Sequence, residues 1–267
     1  MCVTPFAASI KATRTYVHDT GEGRHICGYQ NEAVSYGPNC MFLNFAGGDL
    51  RMVAGPEQTS SFMRDLTANL PELNPDIVTR GGFSFSGARR GGVAVESYGD
   101  YTVIVAQGPG DILDALEEVP ANQRPPRTDN LEAMVNFYMS FYPNDSFILG
   151  CWNGTVRPKH PIVVSYVPRQ AGYLVIPGLD GHDGKLPIIG GPVHRDFYLG
   201  FSVADVGLPI FPRYRDGGIV GQEWVPNSLT GFRDNREFGP NGDYILPIEA
   251  VRQGLVGQKL AEQLLAA

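Results

Sequence analysis

Short apolar runs broken by glycine and proline dominate the first half of the chain. Residues 40–45 and 50–54 flank Gly47-Gly48-Asp49, and residues 92–97 and 101–106 flank Tyr98-Gly99-Asp100. Two apolar runs around a Gly/Asp turn predict a β-hairpin at each place. After the first, Gly55-Pro56 ends the strand, and Phe62, Leu66 and Leu70 recur at helical spacing within residues 57–70. After the second, Gly108-Pro109 leads into a helix expected over 111–119, with Asp111 as N-cap and Pro120 as stop. Hairpin, Gly-Pro and helix thus occur twice, roughly 50 residues apart, which suggests two hairpin-plus-helix units.

The proline-rich polar stretch 120–129 is the best linker candidate. Beyond it, Asp129 opens a helix with Leu131, Met134, Val135, Tyr138 and Met139 on one face. Strands are expected over 146–152, 161–167, 173–176 and 197–203. Residues 205–243 are rich in Gly and Pro and show no sustained period, yet they carry Phe211, Tyr214, Trp224 and Phe232. Residues 247–265 close the chain as an amphipathic helix with Leu255, Leu260, Leu264 and Leu265 apolar.

Antiparallel hairpins followed by separate helices predict an α+β fold, mainly antiparallel sheets with a few packed helices. The halves 1–119 and 130–267 are either two domains or one continuous one. At 267 residues the chain has length for either.

With 43% hydrophobic and 18% charged residues the chain is that of a folded protein. Its net charge of −7 weighs against nucleic-acid binding and against docking on anionic lipid. The basic pairs Arg89-Arg90 and Arg213 with Arg215 read as solvated loop charges. Cys2, Cys27, Cys40 and Cys151 have neither the density of a disulfide scaffold nor CxxC spacing, so reduced thiols and a cytoplasmic location are expected. No signal-like N-terminus and no membrane-length apolar run is visible.

The most concentrated polar group is Pro177-Gly178-Leu179-Asp180-Gly181-His182-Asp183-Gly184-Lys185, followed by His194-Arg195-Asp196. Imidazole and carboxylate ligate divalent metals, and a strand after the first loop could return the second turn to the same edge. The expectation is a metal bound by Asp180, His182, His194 and Asp196, activating water for hydrolysis of a small-molecule substrate, with Asp183 and Lys185 as catalytic groups. The competing reading is an ordinary Asp-Gly turn, since the spacing matches no established metal motif.

Cys2 is the second candidate. With the initiator Met removed, thiol and α-amine would share one residue, the arrangement of an N-terminal nucleophile amidase, with Arg14 and Asp19 as binding and orienting groups. Pro5 argues against a central strand there. Cys151 and His160, nine positions apart, form a further conceivable pair, although a strand cysteine is ordinarily a small hydrophobe. The glycine-rich stretches 81–83 and 87–92 lack the pattern of a phosphate loop.

Tyr214, Trp224, Phe232 and Arg233 are of the types enriched at binding hot spots. They support an alternative in which 205–243 is an arm that grips a partner or a second copy in a homo-oligomer. Metal-dependent hydrolase, non-catalytic binding protein and Cys2 amidase are the three functions the sequence leaves open.

Overall fold

A computed structural model describes residues 2–59, 61–73, 92–154 and 160–254. The chain opens with β1 (Ala8–Asp19), β2 (His25–Ser35), β3 (Asn39–Phe45) and β4 (Gly47–Met52). The short helices α1 (Pro56–Thr59) and α2 (Phe62–Thr67) follow, then β5 (Val93–Tyr98), β6 (Tyr101–Ala106), α3 (Ile112–Ala115) and α4 (Asp129–Phe141). Next come β7 (Ser146–Trp152), β8 (Ile162–Pro168), β9 (Tyr173–Ile176), β10 (Pro192–Val193) and β11 (Phe197–Val203). β12 (Thr230–Asp234), β13 (Gly239–Pro240), β14 (Tyr244–Pro247) and α5 (Ile248–Arg252) complete the described elements.

The fold is α+β, with mostly antiparallel sheets and few helices. A six-stranded sheet has the order β12-β11-β1-β2-β8-β4, and a four-stranded sheet the order β3-β7-β6-β5. Both take strands from either side of residues 120–129. β1 and β11 pair in parallel, with Tyr16 opposite Gly200.

Two-residue alternation explains the layering. On β3, Met41, Leu43 and Phe45 point to a core shared with Cys27, Tyr29 and Val164 of the larger sheet. Cys40 and Phe42 point the other way, onto α3 and α4. The far face of the six-stranded sheet, through Tyr16, Ile26 and Val163, packs on α2 and Trp224. The layers run helix, sheet, sheet, helix. α4 forms because the Thr128 hydroxyl accepts from Leu131 N–H, capping a helix whose Leu131, Met134, Val135 and Tyr138 are buried. Tyr138 stacks on Phe42 with ring centroids 5.2 Å apart.

The second predicted hairpin is β5–β6, joined at Tyr98 and Tyr101 through Gly99, whose φ of +58° suits glycine. The first does not form. β3 pairs with β7 and β4 with β8, in different sheets, because β3 is buried on both faces between the core of the larger sheet and α3 and α4, a place that β4 does not share. Within 205–243, β12 and β13 form, and Ile210 bridges to Leu229. Residues 81–91 and 255–265, named above, lie outside the described residues. No helix among the described residues is long and apolar enough to cross a membrane.

Candidate functional site

Ahead of β1, the chain is threaded between β3 and the polar loop 177–185. Val3 bridges Phe42 on one side and Gly181 on the other. Phe42 N donates to Val3 O at 2.9 Å, Gly181 N to Cys2 O at 3.1 Å, and Thr4 N to Gly181 O at 2.9 Å. Ala8 N donates to His182 O at 2.8 Å, continuing the lacing to the start of β1. This short segment needs no full strand, so Pro5 is no obstacle.

The loop is fixed from its other side by side chains acting as a substitute strand. Asn241 Oδ1 accepts from Asp180 N at 2.8 Å, and its Nδ2 donates to Asp180 O at 2.7 Å. Asp243 Oδ1 accepts from Gly178 N at 2.8 Å, and Arg195 Nη1 donates to Gly178 O at 3.0 Å. Gly184, at φ +78°, lets the loop turn against Pro5 and Ala7.

The two fixings bring Cys2, His182 and Asp180 together. Cys2 is buried, 1% exposed. Its sulfur accepts from Asn31 Nδ2 at 3.7 Å and is near enough to His182 and Tyr29 to raise the pKa of each. His182 Nε2 lies 2.8 Å from Asp180 Oδ1, an ion pair whose line falls off the ring N–H direction. Burial works against charge on His182, yet Cys2 and Asp180 together lift the imidazole to about 9. Burial likewise opposes ionisation of Asp180, but neighbouring positive charge, His182 included, holds its carboxyl well below the usual range. Burial, reinforced by Cys2, keeps the Tyr29 phenol protonated and so a donor. A thiol beside an imidazole and its orienting carboxylate are the parts of a nucleophilic site.

A cleft of about 650 Å³ lies against the outer side of this group. Asp180, His182, Asp183 and Lys185 line it together with His194 and Asp196, so both polar turns reach one cavity. They do not close on a metal: among the described residues no group of three or more His, Cys, Asp or Glu side chains is arranged to hold one. Asp183 and Lys185 form an exposed ion pair of 3.1 Å at the rim. Asp196 is turned to Arg233, 3.5 Å away.

Other sequence pairings come apart. Arg14 lies over the Tyr198 ring, and Asp19, at the far end of β1, accepts from Gly21 N and sits 4.0 Å from His25, so neither attends Cys2. Cys151 faces Cys40 across β7 and β3, whereas His160 Nδ1 lies 3.0 Å from Asp100. Trp224 and Phe232 are buried in this chain's own core, Trp224 edge-on to Phe62 and Phe232 beside Phe201 and Tyr244. Tyr214 stacks on Phe62 and donates to Pro226 O, and Arg233 lies over Tyr198 and pairs with Glu72. Arg215 pairs with Asp65 at 2.7 Å.

Tyr29, Asn31 and Asn241 were missed. Asn31 had a signal: it falls on the inward face of β2 with Cys27, Tyr29 and Ala33, a polar residue in an apolar stripe. Asn241 and its loop partner, 61 residues apart, had none.

No family model and no curated sequence matches the chain. Among solved structures, baculovirus P35 aligns with a TM-score of 0.45 at 12% identity, over 75% of this chain and 67% of that one. A mutated baculovirus P35 after caspase cleavage aligns with a TM-score of 0.39 at 10% identity, over 73% and 66%.

Proposed function

We propose that the protein is an acyl-transfer enzyme of the hydrolase kind, working through the Cys2 thiol on an amide or ester carbonyl. The observation that carries the reading is the burial of Cys2 beside the 180–182 turn, where its C=O accepts from Gly181 N at 3.1 Å and His182 stands 2.8 Å from Asp180. In the proposed step the neutral form of His182, populated as pH rises toward about 9, takes the thiol proton as the sulfur attacks the carbonyl carbon. The imidazolium, held by Asp180, then protonates the departing amine or alkoxide, leaving a thioester that water cleaves. Tyr29 and Asn31 hold the sulfur in place.

Against the metal-dependent reading stands the lack of a three-ligand cluster among the described residues. Against the arm reading stands the burial of Trp224 and Phe232.

The test is alkylation of the native protein by iodoacetamide, resolved by site in a mass spectrometer. Cys2 should react about tenfold or more faster than Cys27, Cys40 and Cys151, and His182→Ala should remove that advantage. p-Nitrophenyl acetate should then leave an acetyl group on Cys2. A Cys2 as inert as Cys27, unaffected by His182→Ala, overturns the reading.

A further inference from the structure

β1 is paired unevenly. On one side β2 accompanies it, with Ala8 opposite Ser35 and Lys11 opposite Glu32. On the other side β11 begins only at Thr13, opposite Phe197. Ahead of that point the outer edge is met once among the described residues, where Ala8 N donates to His182 O. Because Ala8 N points away from β2, alternation along the strand turns the N–H and C=O of Ile10 outward as well. Among the described residues no strand pairs with them on that side. The gap in the sheet is bounded by His182 at one end and Phe197 at the other, and Ala8, Ile10, His182 and Phe197 all line the cleft.

Unpaired backbone edges recruit extended chains, which gain main-chain hydrogen bonds there. The charges favour one kind. Asp180 pairs with His182, Asp183 with Lys185 and Asp196 with Arg233, so the carboxylates of the cleft are answered. Lys11, beside Glu32 in register, and His194 form no ion pair among the described residues. Leu186 and Ile188 stand exposed on the wall, 44% and 74%, as apolar contacts.

We infer that the cleft takes an extended peptide carrying an acidic side chain, which adds to β1 at Ile10 as a short strand and runs toward His182. This names the substrate class of the acyl-transfer site and rests on that reading for its chemistry, though not for its binding. The peptide's N–H and C=O would pair with Ile10, its acid would meet Lys11 or His194, and the bond beyond the gap would lie against the His182–Asp180 pair.

The probe is a capped pentapeptide, acetyl-Thr-Val-Glu-Val-Thr-amide, with a matched peptide N-methylated at each valine. Amide exchange at Ile10 should slow about tenfold or more with the first peptide and not with the second, the difference two backbone hydrogen bonds make. Ile10→Pro removes the outward N–H while sparing the bonds to β2, and should weaken binding by a similar factor, whereas Ile10→Ala should not. Cys2→Ala should bind the probe as the wild type does. Equal binding of both peptides, or unchanged exchange at Ile10, overturns the inference. Binding retained by Cys2→Ala in a protein whose Cys2 never alkylates would keep the peptide site and discard the chemistry.

Discussion

Asn241 exchanges two hydrogen bonds with the backbone of Asp180, accepting from its N–H at 2.8 Å and donating to its C=O at 2.7 Å. A side-chain amide thereby serves the loop as a neighbouring strand would, and both residues are buried. Asn241→Ala leaves a buried donor and a buried acceptor without partners, each at a cost of about 1–3 kcal/mol. We expect a loss of about 2–4 kcal/mol in urea unfolding. The rate of Cys2 alkylation should change in the same variant, since the loop carries His182. Full stability in that variant would mean that the loop is held elsewhere.

The charge on His182 makes stability depend on pH in a stated direction. Its folded pKa of about 9 exceeds the ordinary 6.5, so the folded state binds the proton more tightly. The contribution is fully present below pH about 6.5 and is lost as pH rises through about 9, on the order of a few kcal/mol at most for a side chain 23% exposed. Melting temperature across pH 6–10 should fall less in His182→Gln than in the wild type. Parallel curves would show that His182 and Asp180 do not couple to folding.

His25 works in the opposite sense. It is 2% exposed, its Nδ1 has no hydrogen-bond partner among the described residues, and burial, only partly offset by Asp19, lowers its pKa to about 4. Above pH about 6.5 the imidazole is neutral folded or unfolded and costs nothing. As pH falls from there to about 4, the unfolded chain takes up a proton that the folded chain refuses, and stability drops. His25→Phe should flatten this part of the profile while keeping the edge-on contact with Tyr166. An unchanged acid limb would assign the loss to other groups, first among them His18, whose pKa burial also lowers from 6.5.

What the sequence discloses follows from how local each signal is. β5–β6 was legible because the turn at Tyr98-Gly99-Asp100-Tyr101 and the alternation around it fall within a few residues. α4 was legible because its opening at Asp129 and the stripe from Leu131 to Tyr138 lie on one segment. The apparent hairpin at Gly47-Gly48 failed because the same Gly-Asp pattern serves a chain that leaves one sheet for another, and only the partners β7 and β8 decide between them. The meeting of Cys2 with Asn31 and His182 is wholly non-local: it depends on Val3 bridging both Phe42 and Gly181, which no spacing encodes. The convergence of the two polar turns on one cleft was readable as a possibility from the intervening segment, whereas their failure to close on a metal required side-chain directions.

The aromatic residues of 205–243 give the sharpest test of core against arm. Trp224 is 4% exposed, its ring is edge-on to Phe62 at 4.9 Å, and its carbonyl accepts from Tyr16 Oη at 2.6 Å. The segment lacks periodicity because its aromatics go to different places, Trp224 and Tyr214 between α2 and the outer face of the six-stranded sheet, Phe232 into the core between the sheets, and Phe211 to the surface. Trp224→Ala opens a cavity beside Phe62 and Met63, and truncating a buried aromatic costs about 3–5 kcal/mol. We expect that loss in denaturant unfolding, together with an unchanged size by light scattering at every concentration. If instead the variant keeps its stability and only its self-association changes, Trp224 serves a second copy rather than the fold, and the arm reading returns.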